Sequence, residues 1–380
     1  DTMTAKHRQF VRDSIGIISE ANVDNGQVGT IAYLTADPNI VNLRGVTKPI
    51  EDLTNVPKTK VQSTAMLLSP GSDTDDSKRV TFTNVMFTST SFLYKATPNR
   101  LLTGAERTVA FRTDDIWARN AKQGGKVTEL TKESMTVQYA DGSLESFPVG
   151  RYFGTWSGTI VPHEISTQLK VGDIFDKDDI ICYNAHYFQP DTINPKHVIF
   201  KRGIRGNMLL WEAVDTLEDA DSISKDFSKR LVTGTTEKRR VKVPADHDFE
   251  FLCEEGNHVD PETILCTLRP PMSGMSSHYN QDALDALDAL NTLTPKAKYE
   301  GVIERIEVMY TGELDDMSPS LQEIVTKYDS KLYRLNKKLG IPVLAAKIDP
   351  NYSIENVDVG ENQVVVTFYI TEEVGAGIGD

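Results

Sequence analysis

Short segments of alternating apolar and polar residues, separated by turn residues, constrain the fold of this chain more than any other feature. Between 126 and 160 they read KVTELT, SMTVQYADGSLESFPV and GTWSGTIV. Strict alternation is the pattern of half-buried strands, and Asp141-Gly142 is a strong two-residue hairpin signal. The sequence therefore predicts consecutive antiparallel hairpins in this region.

Further strands are predicted at both ends of the hairpin region. They are VTFTNVMFTST (80–90), SFLYKATP (91–98), RTVAFR (107–112), two strands in LKVGDIFDKDDIICYN (169–184), YEGVIERIEVMY (299–310) and QVVVTFYI (363–370). The last run is apolar throughout, which is typical of a strand buried on both faces. The fold class predicted is mainly β with α+β parts.

One predicted helix carries an apolar ridge. The run QDALDALDALNTL (281–293) places Leu284, Leu287, Leu290 and Leu293 three residues apart, which indicates a short amphipathic helix. Its flanks are loop-like. The ridge either packs onto the chain's own core or offers a docking surface to a partner.

A second helix is predicted at 319–339. Ser318 is a suitable N-cap, Pro319 suits the first turn, and Gly340 suits the position after the last turn. Leucines, isoleucine, valine and tyrosine recur on one face of this segment, so that face is expected to be buried.

Composition limits the classes of function. A chain of 380 residues with 39% hydrophobic residues exceeds one core, so two or three domains are expected. No apolar run reaches membrane-spanning length and no signal core opens the sequence, so we expect a soluble cytoplasmic protein with no membrane partner. Both ends fit a piece of a longer chain. The net charge of −14 argues against a free-standing nucleic-acid-binding protein, but not against one part of a larger assembly.

Common enzyme signatures are missing from the sequence. There is no G-x-S-x-G, no Walker loop, and no G-x-G-x-x-G opening a helix. Cys182, Cys253 and Cys266 form a sparse, odd set that fits buried thiols in a reducing compartment. Cys253, His258 and Cys266 lack the paired C-x-x-C spacing of structural zinc, which disfavours a zinc site.

The stretch from 207 to 232 carries the densest chemical signal. The apolar run Met208–Trp211 predicts a short buried strand, and the four-residue spacing of Ile223, Phe227 and Leu231 predicts a helix. Five carboxylates lie between Glu212 and Asp221, on the turn that joins the two elements.

Within that turn, Glu218 and Asp219 are adjacent and expected to be exposed. Exposed carboxylates on a turn supply the hard oxygen ligands of a Mg²⁺–phosphate site. An acidic first turn that complements the helix dipole, beside a solvated loop, explains the same residues without any site.

Basic and aromatic residues cluster between 92 and 107 in an otherwise acidic chain. Tyr94, Lys95, Arg100 and Arg107 suit contact with a nucleotide or a phosphate. A solvated strand surface is the competing interpretation.

Several segments, in this order, resemble the second-largest (β) subunit of multisubunit DNA-dependent RNA polymerases, and divergent bacteriophage versions look closest. Residues 14–31 resemble the fork-loop region. TGAERTVA (103–110) is similar to the family's G-M-E-R-A-V-A, and LEDADSIS (217–224) is similar to F-E-D-S-I-L-V-S. VVVTFYITEEVGAGIGD (364–380) resembles the run into G-D-K-M-A-G-R-H-G-N-K-G. The order of these short motifs carries the resemblance.

The resemblance implies roles for individual residues. Glu218 and Asp219, or Asp221 in a register shifted by two, would approach the magnesium and the incoming nucleotide. Tyr94 falls where the family has a nucleotide-contacting Arg, and Lys95 would take over phosphate contact. The Mg²⁺ would be held mainly by a large β′-like partner subunit, whose D-F-D-G-D motif does not occur here.

The resemblance also implies a fold and partners. Residues 1–100 would form the fork-loop and lobe-connecting region, 101–165 a hybrid β region, and 166–235 half of a double-psi β-barrel. An inserted flap (236–350) would carry the tip helix at about 281–293, and 351–380 would return to the barrel. The implied activity is nucleotidyl transfer from NTPs to RNA on a DNA template, in complex with other polymerase subunits and an initiation factor. It would take place in the host cytoplasm, with packaging in a virion as an alternative.

Two other classes of function stay open at this point. A β-rich structural or adaptor protein would dock through the Leu284–Leu293 ridge, with its acidic turns merely solvated. A free-standing metal-dependent phosphohydrolase would use the acidic turn, but no histidine or lysine base lies beside it in the sequence.

Overall fold

The computed structural model describes residues 11–23, 27, 30–42, 44–90, 92–96, 103–111, 117–156, 158–201, 203–210, 221–271, 280–340, 346–350 and 359–377. Within these residues the fold is mainly β, with several antiparallel sheets and few helices, as the alternation predicts. None of the described helices combines the length and the apolar character that crossing a membrane requires.

The regular elements of the described residues are as follows. The strands are β1 (Ile18–Asn22), β2 (Ala32–Leu34), β3 (Ala118–Asn120), β4 (Gly125–Leu130), β5 (Ser134–Tyr139), β6 (Leu144–Pro148), β7 (Gly150–Trp156), β8 (Thr159–Ser166), β9 (Ile174–Phe175), β10 (Ile180–Asn184), β11 (Phe188–Pro190), β12 (Val198–Phe200), β13 (Val232–Pro244), β14 (Asp248–Phe251), β15 (His258–Val259), β16 (Cys266–Arg269), β17 (Gly301–Tyr310) and β18 (Gln363–Gly375). The helices are α1 (Thr64–Leu68), α2 (Ser77–Ser89), α3 (Ala105–Thr108), α4 (Lys225–Ser228), α5 (Gln281–Asn291) and α6 (Pro319–Leu339).

The chain forms two compact units, each assembled from two separate segments. Unit 1 comprises residues 1–125 and 165–233, and unit 2 comprises 126–164 and 234–380. The five functional segments expected from the resemblance stay a prediction.

Unit 1 contains the β1–β2 hairpin, helices α1 to α4 and two small antiparallel pairings. Strand β10 pairs with β3, and β11 pairs with β12. The core of this unit is formed by buried residues of the first helices and of these strands: Leu68, Val109, Ala110, Ala118, Ile180, Tyr183, Phe188, Val198 and Phe200.

Unit 2 is built on a long antiparallel pairing between β17 and β18, which runs from Val302↔Thr371 to Tyr310↔Val364 with one register shift between Ile303 and Arg305. Five strands lie side by side in the order β15-β17-β18-β13-β8, and β7 also pairs with β8. Every residue from Val364 to Ile370 is buried, so the predicted strand with two buried faces is confirmed.

The predicted hairpin at Asp141-Gly142 is confirmed. Strands β5 and β6 pair antiparallel around it, and Gly142 adopts φ +85°. The Asp141 carboxylate accepts hydrogen bonds from the N–H and the hydroxyl of Ser143, at 2.9 and 2.6 Å. The turn forms because glycine tolerates a positive φ and the aspartate binds the backbone two residues on.

Helix α6 matches its sequence signals. The Ser318 hydroxyl accepts the Leu321 N–H at 3.4 Å, and Gly340 ends the helix in a left-handed conformation. Leu321 and Val325 are completely buried in the core of unit 2. The helix is therefore stabilised at both ends by local caps and along one face by apolar burial.

The strand predicted at 80–90 is wrong, because this segment is the helix α2. Alternate residues such as Phe82 and Met86 suggest a strand, yet both are exposed. The buried face instead follows helical spacing: Val80, Asn84 and then Phe87, whose ring packs 6.2 Å from that of Phe200. The polar Asn84 in the middle of this face hides the helical period from the sequence.

The strands predicted at 91–98 and 107–112 are also wrong in their described parts. Residues 92–96 belong to no strand. In the second segment the chain forms α3 followed by a 3₁₀ turn, Val109–Phe111. Val109 and Ala110 are consecutive residues and both are buried, so burial does not alternate along this segment as it would in a strand. Gly104 begins the helix at φ +77°.

The buried strand predicted at Met208–Trp211 is wrong for its three described residues. Met208, Leu209 and Leu210 are 86%, 76% and 88% exposed, and they belong to no strand. An apolar run is buried only when a neighbour covers it, and no described element pairs with this segment. Trp211 lies outside the described residues.

The helix predicted around 223–231 is present but shorter than its spacing indicates. Helix α4 is a single turn that starts after Ser224, whose hydroxyl accepts the Phe227 N–H at 3.2 Å. Strand β13 then begins at Val232. Gly234, expected just beyond the helix, is buried inside that strand.

Candidate functional site

The two flanks of the acidic turn converge in unit 1. Glu218 and Asp219 themselves lie outside the described residues. A Cβ added to Gly206 would lie 2.6 Å from Cε2 of Phe227, so the phenyl ring packs directly against the glycine backbone. Gly206 and Phe227, which flank the stretch that carries the acidic residues, are therefore in contact, and a side chain at position 206 would require the Phe227 ring to move.

The described carboxylates at the end of this stretch face solvent. Asp221 and Asp226 are exposed, and the ion pair between Asp226 and Lys229 (3.4 Å) joins two side chains that are 95% and 77% exposed. A pair so exposed contributes almost nothing to stability, which leaves these carboxylates accessible to a cation. The described residues contain no group of three or more His, Cys, Asp or Glu side chains placed to hold a metal. A metal ion bound by the acidic stretch would need Glu218 and Asp219, or ligands from a partner.

Tyr94 lies beside the first residue of β13. The Tyr94 N–H donates a hydrogen bond to the Val232 carbonyl at 2.9 Å, five residues beyond Phe227. The Lys95 side chain is exposed. Two segments that are distant in sequence are thus adjacent in unit 1: one supplies an aromatic ring and a cation, and the other follows the acidic stretch in the sequence.

Neighbouring aromatic rings fix the orientation of Tyr94. Its ring centroid lies 5.1 Å from that of His186 and 5.8 Å from that of Phe92. Phe92 is buried and lies 4.3 Å from His186, while Tyr187 packs 4.0 Å from Trp117. A half-buried tyrosine held in such a cluster is a rigid surface on which a nucleotide base can stack.

Lys201 is a further cation in this region, and the sequence patterns did not single it out. The backbone N–H of Lys201 donates to the Tyr187 carbonyl at 2.7 Å, which places this residue next to the aromatic cluster. Burial lowers the pKa of its ammonium group. Partial desolvation also strengthens the attraction between that group and an anion. No local sequence signal reveals the burial of a lysine that follows a strand.

Arg107 lies elsewhere in unit 1. Its Nε atom is 3.2 Å from Oδ2 of Asp191, whose side chain is only 3% exposed. Asp191 follows β11 whereas His186 precedes it, so the length of that strand, about 10 Å, separates the two sites. The guanidinium of Arg107 balances the negative charge of a buried carboxylate, so its role is structural. Arg100 lies outside the described residues.

The leucines of the α5 ridge in unit 2 differ in their exposure to solvent. The helix is capped by Asn280, whose side chain accepts the Ala283 N–H at 3.0 Å. Leu284 and Leu287 are half-buried, whereas Leu290 is 81% exposed. Leu293 exchanges two backbone hydrogen bonds of 2.9 Å with Leu268, which anchors the end of the helix to β16. The anchored helix presents its C-terminal leucines to solvent.

The three cysteines are buried and free, as the sequence predicts. Burial raises the pKa of the Cys266 thiol to about 12. The Cys253 thiol donates to the Ile264 carbonyl at 3.3 Å, and burial raises its pKa as well. Both thiols belong to the buried core of unit 2.

The chain matches no protein-family model and has no significant match among curated proteins. Its function is therefore inferred from its residues and their geometry.

Proposed function

We propose that this chain is the central-to-C-terminal portion of a β-like subunit of a bacteriophage-type DNA-directed RNA polymerase. Its activity would be nucleotidyl transfer from NTPs to RNA on a DNA template, within a multisubunit complex. The supporting observation is the hydrogen bond from Tyr94 to Val232, because it links a segment that resembles one nucleotide-contacting motif of that family to the strand that begins eight residues after the other motif, 217–224.

Roles follow from the chemistry of each side chain. Glu218 and Asp219 assist the nucleotide-bound Mg²⁺, which the large β′-like partner holds with its own aspartates. The bound metal screens the negative charge of the triphosphate. Lys95 and Lys201 attract phosphate oxygens, and Tyr94 packs against the base or the sugar.

The finer architecture belongs to the same proposal. Residues 166–235 form half of a double-psi barrel, a flap is inserted at 236–350, and β18 returns to the barrel. The exposed end of the α5 ridge, at Leu290, supports a role for that helix as the flap tip that docks an initiation factor. The complex works in the host cytoplasm.

The test is reconstitution with the partner that carries D-F-D-G-D. The variant E218Q/D219N should assemble normally and elongate RNA about 100-fold more slowly or worse, the loss expected when a charge-stabilising group is removed. The control D315N/D316N removes two exposed carboxylates of unit 2 and should elongate normally. D221N separates the two possible registers.

Two results would reject the proposal. Normal elongation by both E218Q/D219N and D221N would remove the acidic turn from the reaction. Failure of the chain to assemble with any large subunit that carries D-F-D-G-D would reject the family.

A β-rich structural or adaptor protein is the second candidate. The observation that favours it is the exposure of Leu290 and Leu293, 81% and 59%, at the end of an anchored helix. In that case L290D should abolish co-purification with a partner that lacks D-F-D-G-D, and the complex should have no nucleotidyl-transfer activity.

A further inference from the structure

A groove of about 1040 Å³ lies within unit 2, between helix α6 and the turn that joins β4 to β5. Four cations of α6 line it: Lys327, Lys331, Arg334 and Lys338. Their spacing of four, three and four residues places them in one stripe along the helix. The stripe is about 16 Å long at 1.5 Å per residue.

Two of these cations hold the helix on the hairpin. Lys331 Nζ lies 2.8 Å from Oε1 of Glu133, and Lys338 Nζ lies 2.7 Å from Oε1 of Glu129. Both carboxylates belong to the β4–β5 hairpin or its turn. These two ion pairs set the width of the groove, because they join its two walls.

Lys327 and Arg334, the other two cations, do not hold the helix on the hairpin. In the described part of the chain, Lys327 and Arg334 make no ion pair, and both are exposed. Glu323 also lines the groove, one turn before Lys327 but outside ion-pair distance of it. Thr326 and Ser330 line the same space. The groove therefore offers two cations without an ion-pair partner, about 10 Å apart along the helix, with Ser330 between them and Thr326 beside the first.

Helix-dipole stabilisation does not account for this stripe. Cations in the last turn of a helix complement its dipole, which explains Lys337 and Lys338. The effect fades within a turn, so it does not reach Lys327 or Arg334.

We propose that this groove binds the phosphate backbone of a nucleic-acid strand. Cations repeated at the pitch of a helix suit an anion that also repeats regularly, and the hydroxyl groups can donate to phosphate oxygens. No aromatic side chain lines the groove in the described part of the chain, so contact is with the backbone and is independent of base sequence.

An acidic peptide fits the groove less well. Apart from Pro319 and Leu335, the described residues that line the groove carry polar or charged groups, so a peptide would bury few apolar side chains there. The overall charge of −14 repels polyanions from most of the surface, which makes a local positive groove selective. This contact goes beyond the proposed function, whose nucleotide site lies in unit 1.

The test measures binding of the full chain to short labelled oligothymidylate and oligouridylate by fluorescence anisotropy at several salt concentrations. K327Q/R334Q should weaken binding on the order of tenfold, and the slope of log K against log salt should become shallower by about 1.4, at about 0.7 per phosphate lost. The control K337Q/K58Q removes two exposed positive charges outside the groove and should change neither value.

A second measurement needs no variant. Acetylation of the wild-type chain, followed by mass spectrometry, should show that the oligonucleotide protects Lys327 and leaves Lys337 reactive. Absence of binding, equal weakening by K337Q/K58Q, or equal protection of both lysines would overturn the proposal. Displacement of the oligonucleotide by polyglutamate of the same charge at equal concentration would also overturn it, in favour of an acidic protein partner.

Discussion

Replacing Gly301 with alanine is expected to destabilise unit 2 by about 2–6 kcal/mol. Gly301 opens β17 at φ +142°, a region that other residues reach only with strain of about 1–3 kcal/mol. The new Cβ would also overlap the Thr371 carbonyl, lying 2.7 Å from its carbon atom. Overpacking of this kind costs about 1–3 kcal/mol more, and both partners here are backbone atoms of paired strands. The clash is relieved only by opening the β17–β18 pairing.

A matched glycine separates the two contributions. Gly256 also has a positive φ, +96°, but a Cβ there would meet no heavy atom within 4 Å. G256A should therefore lose about 1–2 kcal/mol, the conformational part alone. Urea unfolding gives the free energies, thermal melting should shift by about 2–4 °C per kcal/mol, and amide exchange reports on β18 directly. Equal destabilisation by the two variants, with unchanged protection of β18, would refute this reasoning.

Two further predictions concern charged groups. Burial, and then the charge of Arg151, lower the pKa of His163 to about 4, so the folded state binds fewer protons than the unfolded state below pH ~6.5. Stability should be complete above that pH and fall by about 1–2 kcal/mol towards pH 4, discounted for partial exposure, and H163Q should flatten this part of the urea-unfolding profile. R107A should destabilise unit 1 by about 2–3 kcal/mol, because Asp191 loses its cation, whereas R107K should retain part of that stability. Unchanged unfolding of R107A would contradict the structural role given to this pair.

Local signals made some of the fold predictable. The Asp141-Gly142 hairpin and helix α6 depend on turn and cap residues within a few positions of each other, and both were predicted correctly. Helix α2 was missed because Asn84 occupies the centre of its buried face and donates to its own helix at Val80. Burial at that position depends on Phe87 reaching Phe200, a contact that no window of sequence contains.

The candidate sites were predictable only in part, because they too depend on contacts between residues that are distant in the sequence. The residue types at Glu218, Asp219 and Lys95 indicate phosphate chemistry, but the hydrogen bond from Tyr94 to Val232 is a tertiary contact that the sequence does not contain. The spacing of cations on α6 is visible in the sequence. Their meaning depends on Glu133, because the distant β4–β5 turn forms the other wall of the groove.

The interleaving of the two units has a consequence during synthesis. The segment 126–164 leaves the ribosome before any of its partners in 234–380 exist, since all of 165–233 is made in between. At about 5–20 residues per second that interval lasts several seconds. Glu129 and Glu133 of its β4–β5 hairpin spend that interval without Lys338 and Lys331, the cations of α6 that bind them in the finished protein. The contact between this hairpin and α6 can therefore form only late in translation, once residues 319–339 have been made.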